Sequence, residues 1–179
     1  GTWRNKVILV ADDEFSTNTT YDFEFLISTE ELAARRGAFP TPLEVEKVYL
    51  HLFPFVGDVK PAARKDFLQK WSDGALIINY NGHGSPLQMA DERVMVNSDI
   101  YSLANGIRRP LFLSFSCSVG DLDSPYHRSM AQNMTTYDAG GAIGTIAAAA
   151  PTYLIPNDLL NEAIYESIFT SKDSTGTRP

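Results

Sequence analysis

Leu76-Ile77-Ile78-Asn79-Tyr80-Asn81-Gly82-His83-Gly84-Ser85 decides how the rest of the chain is read. Its apolar start predicts a buried strand, and the strand is cut off by a histidine between two glycines. A second stretch repeats the pattern. Leu111-Phe112-Leu113-Ser114-Phe115-Ser116-Cys117 is again a buried strand, and it runs into the only cysteine. Strands apolar on both faces suit a parallel sheet covered by helices. A general base at one strand end and a nucleophile at the next are the parts of a cysteine hydrolase.

Outward from these two strands the chain alternates. Lys6 to Ala11 predicts strand one, running into Asp12-Asp13-Glu14, and residues 15–25 read as a loop. Ser28-Thr29-Glu30-Glu31 fits a capping box, which predicts a helix from Ser28 to Arg36 stopped by Gly37. Val45 to Phe53 predicts strand two. Pro61 suits the first turn of a helix with an apolar stripe of Phe67, Leu68 and Trp71, ended by Gly74. Strand three is Ala75 to Tyr80. Ser98-Asp99 cap a short helix through Leu103, and Pro110 to Ser116 is strand four. A helix over Pro125 to Tyr137 leads to strand five, Ala142 to Ala149. Asn157 caps a last helix through Phe169, with Leu160, Ile164 and Ile168 on one face.

This alternation predicts an α/β three-layer domain with a mostly parallel sheet over residues 1–170, and a polar, disordered tail over 171–179. The 179 residues suffice for one domain with a full core. The net charge of −7 and pI of about 4.9 disfavour nucleic acid and anionic membrane as partners. No apolar run reaches the ~18–20 residues of a membrane helix. The chain opens with Gly rather than Met and carries no signal peptide, which predicts a processed chain or a domain cut from a longer one.

Ligands in open α/β sheets bind beyond the carboxyl ends of the strands. Strands three and four are consecutive, so His83 and Cys117 are expected to face one substrate bond across neighbouring strands ~4.8 Å apart. Cys117 is the expected nucleophile, with the Ser118-Val119-Gly120 turn offering N–H groups. His83 is the expected general base and acid. Its flanking glycines allow positive φ and close approach, and the Gly84 N–H suits a developing oxyanion. Asp12, Asp13, Glu14 and Glu24 are all candidates for orienting His83. Asp91, Glu92, Asp121 and Asp123 could line a pocket for a basic side chain or bind calcium, although each is more simply a solvated loop carboxylate. His51 and His127 read as structural, and no zinc-type cluster is present.

Several stretches together resemble the gingipain family of cysteine peptidases, peptidase family C25. They are Asn79 to Ser85, Ala90-Asp91-Glu92-Arg93-Val94, Asp99-Ile100, Leu103-Ala104-Asn105, Pro110-Leu111-Phe112, Ser116-Cys117 and Asp123-Ser124-Pro125. Gly1 to Asn5 and Ala11-Asp12-Asp13 are similar too, especially to the branch holding the sortase of the type IX secretion system, and Gly140 to Ile143 and the Pro156-Asn157 helix start also fit the family. The resemblance implies a caspase-haemoglobinase-like catalytic subdomain and a His83–Cys117 dyad with Gly84 and Cys117 as oxyanion donors. It implies a polypeptide substrate and flanking subdomains in a longer chain. It also implies action outside the cell or at a bacterial outer surface. No cofactor is required for the chemistry; structural calcium is compatible with it. In the sortase branch an amine replaces water as acceptor, and a catalytically silent binding module is the alternative to either enzyme. Ser85, Met89, Ser116 and Asp121 are the candidate substrate walls. Met89 stands where relatives carry Trp, and Ser118 to Leu122 lacks their aromatic, so both departures bear on the residue accepted before the scissile bond.

Overall fold

A computed structural model describes residues 1–13, 23–35 and 39–170. Glu14, the loop over 15–22, the predicted helix stop at Gly37 and the predicted tail over 171–179 lie outside the described residues. Among those residues, five strands form one parallel sheet. They are β1 (Lys6–Ala11), β2 (Glu44–Tyr49), β3 (Ile77–Asn81), β6 (Leu111–Phe115) and β7 (Gly144–Ala147), in the order β2-β1-β3-β6-β7. A small antiparallel hairpin, β4 (Gln88–Met89) with β5 (Met95–Val96), lies between β3 and β6 in the chain. No short-range signal in the sequence marked it. It is only two residues per strand, and burial of Met89 and Met95 at one of its pairs holds it in place.

The period-two geometry of the strands sorts their side chains into two cores. Ile8, Val10, Ile78, Tyr80 and Phe112 point to one face, covered by α2 (Pro61–Asp73) and α3 (Met130–Thr136). Val7, Leu9, Ile77, Leu113 and Phe115 point to the other, covered by α1 (Glu24–Ala34) and α4 (Leu154–Tyr165). The result is the three-layer α/β domain the alternation predicts.

Helix α2 follows its sequence signals closely. Pro61 occupies the first turn, and Gly74, at φ 90°, closes the helix by donating to the Lys70 and Trp71 carbonyls. Its buried stripe is Ala63, Phe67 and Trp71; Leu68 is only partly covered. Phe67 and Trp71 are fully buried, and each such side chain is worth ~2–3 kcal/mol of transfer free energy.

Other boundaries move, for identifiable reasons. α1 starts at Glu24 rather than at Ser28, because Ser28 is used elsewhere. Its hydroxyl donates to Asp158 and accepts from Asn81 Nδ2 at 3.0 Å, tying α1 to α4 and to the end of β3. β2 stops at Tyr49, and Leu50–Leu52 turn as a 3-10 helix. α3 starts at Met130, not Pro125, because Ser129 and Gln132 form a reciprocal capping box there. α4 starts at Leu154, and Asn157 reaches back to Thr152 Oγ1. The buried face of α4 carries Asn161 and Tyr165, whereas Leu160 is half-exposed. The helix packs against a polar spot in the sheet, where Asn79 Nδ2 donates to Asn161 Oδ1 at 2.7 Å.

Candidate active site at the carboxyl ends of β3 and β6

The two loops of interest leave neighbouring strands in step. β3 and β6 pair in parallel, with Asn81 opposite Phe115 as their last partners. His83 and Cys117 each follow two residues later. The loops then touch. A Cβ on Gly84 would lie 2.7 Å from Ser116 Oγ and 2.9 Å from the Cys117 carbonyl oxygen, so only glycine fits there. A Cβ on Gly82 would overlap Asp12 and the Tyr80 hydroxyl. Neither glycine adopts a positive φ. Of the two uses the flanking glycines allow, positive φ and close approach, the structure shows close approach.

His83 is exposed, and its ring meets the edge of Phe25 with centroids 5.2 Å apart. Its main chain is held from three sides. The His83 N–H donates to Asp12 Oδ2 at 2.9 Å, and its carbonyl accepts from the Tyr80 hydroxyl at 2.5 Å and the Ala90 N–H at 3.0 Å. Asp12 also accepts from the Asp13 N–H at 2.9 Å and from the Tyr80 hydroxyl at 3.3 Å. Burial raises the Asp12 carboxyl to about 6, against the lowering pull of the His83 N–H. Of the acids proposed to orient His83, Asp12 thus reaches it, and does so through the backbone. Asp13 turns away to a buried ion pair with Lys60, whose ammonium also donates to the Leu50 carbonyl at 2.9 Å. Glu24 lies at the start of α1.

Cys117 is half-buried. The N–H groups expected to serve it from the following turn are largely committed. Ser118 N–H donates to the Ala150 carbonyl at 3.3 Å and Gly120 N–H to that of Ala148 at 2.9 Å. That expectation is corrected, because the turn is stitched to the segment after β7. The sulfur instead accepts from the Thr152 N–H at 3.4 Å and lies 3.6 Å from the Thr152 carbonyl oxygen. Thr152 has no distinguishing feature in the sequence. It is 35 positions from Cys117, and only the pairing of β6 with β7 carries its segment there.

A cleft of about 160 Å³ is lined by His83, Gly84, Ser85, Gln88, Ala90 and Asp91. Ser85 borders it, its hydroxyl accepting from the Leu87 and Gln88 N–H groups. Met89 is fully buried and belongs to the core beside Tyr80 and Val94, so it offers the cleft no surface. Ser116 is buried against Ser114, 2.7 Å between hydroxyls. Asp121 is occupied locally, accepting from the Asp123 N–H at 3.1 Å and facing His127 at 3.6 Å. His127 also meets Ser124, and His51 stacks with Tyr49, in keeping with structural roles for both.

Glu92 departs most from expectation. Read as a solvated loop acid, it is buried, and burial beside Asp12 and Asp13 raises its carboxyl to about 7. Carboxylate oxygens of Asp12, Asp13 and Glu92 lie within 4.8 Å of one another. Among the described residues no helix is long and apolar enough to cross a membrane.

The model of peptidase family C25 matches residues 1–178. Among solved structures, the fold is similar to the Arg-specific cysteine proteinase gingipain R, with a TM-score of 0.67 and 17% identity over 93% of this chain. It is similar to the complex of the pro- and mature domains of Porphyromonas gingivalis RgpB, at 0.62 and 17% over 92%. A structure described as a protease matches at 0.65 and 17% over 99%. The chain spans 37%, 38% and 34% of the length of those three proteins. No curated protein matches by sequence.

Proposed function

The chain belongs to peptidase family C25, and on that premise we propose that it is the catalytic domain of a cysteine endopeptidase with Cys117 as nucleophile and His83 as general base and acid. One observation carries the reading: the in-step exit of His83 and Cys117 from paired parallel strands, two residues beyond Asn81 and Phe115. The contact of Gly84 with the Cys117 carbonyl supports it, because it keeps the two loops at one point.

In this mechanism His83 takes the thiol proton of Cys117 and the thiolate attacks the peptide carbonyl carbon. The N–H groups of Gly84 and Cys117 receive the oxyanion; losing one such donor costs ~10²–10³ in kcat elsewhere. The C–N bond breaks, the amine leaves with the proton from His83, and a thioester remains. Water activated by His83 adds to the thioester, the S–C bond breaks, and a carboxylate product and the thiol are regenerated. Ser85, Gln88 and Asp91 border the adjoining cleft, and in this reading they meet the substrate chain. A polypeptide partner, flanking subdomains and action outside the cell or at a bacterial surface belong to the same family reading.

Peptide-library cleavage combined with thiol-probe labelling tests this. The wild-type chain should cleave peptides and label at neutral pH, Cys117→Ala should do neither, and His83→Ala should slow labelling by ~10²-fold or more. Labelling no faster than a free thiol would sink the catalytic reading and leave a caspase-like binding module. Products carrying an added amine in place of a new carboxylate would identify a sortase-like transpeptidase.

A further inference from the structure

We propose that Phe25 is a positioning residue, whose ring holds the His83 imidazole in the orientation that lets it exchange a proton with Cys117; this role rests on the peptidase reading above. The His83 side chain needs such a wall. Its main chain is held through the N–H and the carbonyl, but among the described residues nothing hydrogen-bonds to its ring. The residue is exposed, and an exposed side chain otherwise hops between rotamers within ps–ns. Phe25 is the residue that meets the ring. The two centroids are 5.2 Å apart and the planes cross at 87°, within the distances and the edge-to-face geometry that aromatic pairs prefer.

Packing of α1 on the sheet does not account for Phe25. Phe25, Thr29 and Leu32 are the buried residues of α1, but only Leu32 belongs to a core of the sheet. Phe25, the second residue of the helix, is 8% exposed and joins neither core among the described residues. The two rings also share one mount. Asn81 ends β3 two residues before His83, and its Nδ2 donates to Ser28 Oγ at 3.0 Å. Ser28 lies three residues after Phe25 and donates in turn to Asp158 of α4. The Thr29 hydroxyl donates to the Phe25 carbonyl at 2.7 Å, which fixes the first turn of the helix. Asn81, Ser28, Phe25 and His83 thus close a loop of contacts at the end of β3. A shift of α1 would carry the Phe25 ring off the imidazole, and misplacing a reacting group by ~1 Å costs ~10²-fold in rate in other enzymes.

Nuclear magnetic resonance of the full chain carrying 13C-labelled histidine tests the contact, and thiol-probe labelling of Cys117 at neutral pH tests its consequence. The wild-type spectrum should show cross-peaks between the ring protons of His83 and Phe25, with the His83 signals displaced by the neighbouring ring current. Phe25→Leu, checked for folding by circular dichroism, keeps an apolar side chain without a ring; it should abolish the displacement and slow labelling about tenfold. Phe25→Tyr restores a ring and should recover both, with labelling within about twofold of wild type. Ser28→Ala touches neither ring, and should weaken the cross-peaks and slow labelling about threefold. A wild-type spectrum without the cross-peaks would overturn the positioning role, and so would wild-type labelling in folded Phe25→Leu, which is the result a merely structural phenylalanine gives. Should Phe25→Leu fail to fold, Ser28→Ala decides in its place, and unchanged cross-peaks with unchanged labelling would overturn the role. Wild-type Cys117 labelling no faster than a free thiol would instead remove the peptidase reading. Fast labelling in both wild type and folded Phe25→Leu would remove the role of Phe25 alone.

Discussion

The loops after β3 and β6 leave the sheet side by side and are held in opposite ways. The His83 loop is fastened by side chains. Asp12 takes its first N–H, Tyr80 holds its carbonyl, and the β4–β5 hairpin braces the far side. The Cys117 loop is fastened by main chain. Ser118, Gly120 and the sulfur itself all pair with backbone groups of residues 148–152. The general-base candidate therefore depends on a buried, charged neighbourhood and the nucleophile candidate on sheet continuity. One loop should respond to pH and single substitutions, and the other should respond to little short of breaking a strand.

The largest test of that contrast is Asp12→Ala. It leaves the His83 and Asp13 N–H groups without their acceptor, while the Tyr80 hydroxyl keeps the His83 carbonyl, and should destabilise the chain by about 3 kcal/mol. Chemical denaturation reads the stability, and thiol-probe labelling should slow at least tenfold. Unchanged labelling in folded Asp12→Ala would show that the His83 loop does not need its side-chain anchor.

A smaller effect is expected from pH. Burial raises Asp12 to about 6 and Glu92 to about 7 in the folded chain, above their ordinary values. The folded state then binds protons that the unfolded state has released, so stability falls as pH rises through about 4 to 7. Asp13, Lys60 and His83 are further titratable groups facing this pair. Thermal unfolding of Glu92→Gln between pH 5 and 7.5 should lose about 1–2 kcal/mol of the wild-type slope. A slope equal to wild type would remove Glu92 from the account.

The smallest effect should come from the other loop. Thr152→Ala keeps the N–H and carbonyl that meet Cys117 and removes only the hydroxyl that accepts from Asn157. It should cost less than about 1 kcal/mol and leave labelling within twofold, measured on the same probe. A large loss of labelling would mean that the Cys117 loop leans on side chains after all.

What could be read before folding, and what could not, divides along the same line. Alternating and apolar runs encode β1, β3 and β6, and Pro61 with Gly74 brackets α2, because each signal acts within a turn or two of chain. The neighbouring strand ends of His83 and Cys117 follow from chain order, since consecutive parallel strands tend to pair. Local signals failed where a distant partner outbid them. Ser28 reads as a helix cap and instead binds Asn81 and Asp158, and the Leu160 stripe yields to Asn161 and Tyr165 because Asn79 waits in the sheet. Glu92 looks like a surface acid, yet the turn after β4 carries it beneath Asp12 and Asp13. Short-range pattern is thus enough to specify the strands, the principal helix and the residues that carry chemistry. Which carboxylate grips the His83 loop, what meets the sulfur and where three acids converge are settled only by contacts between segments far apart in sequence. Such contacts depend on burial, and burial exists only once the sheet has closed.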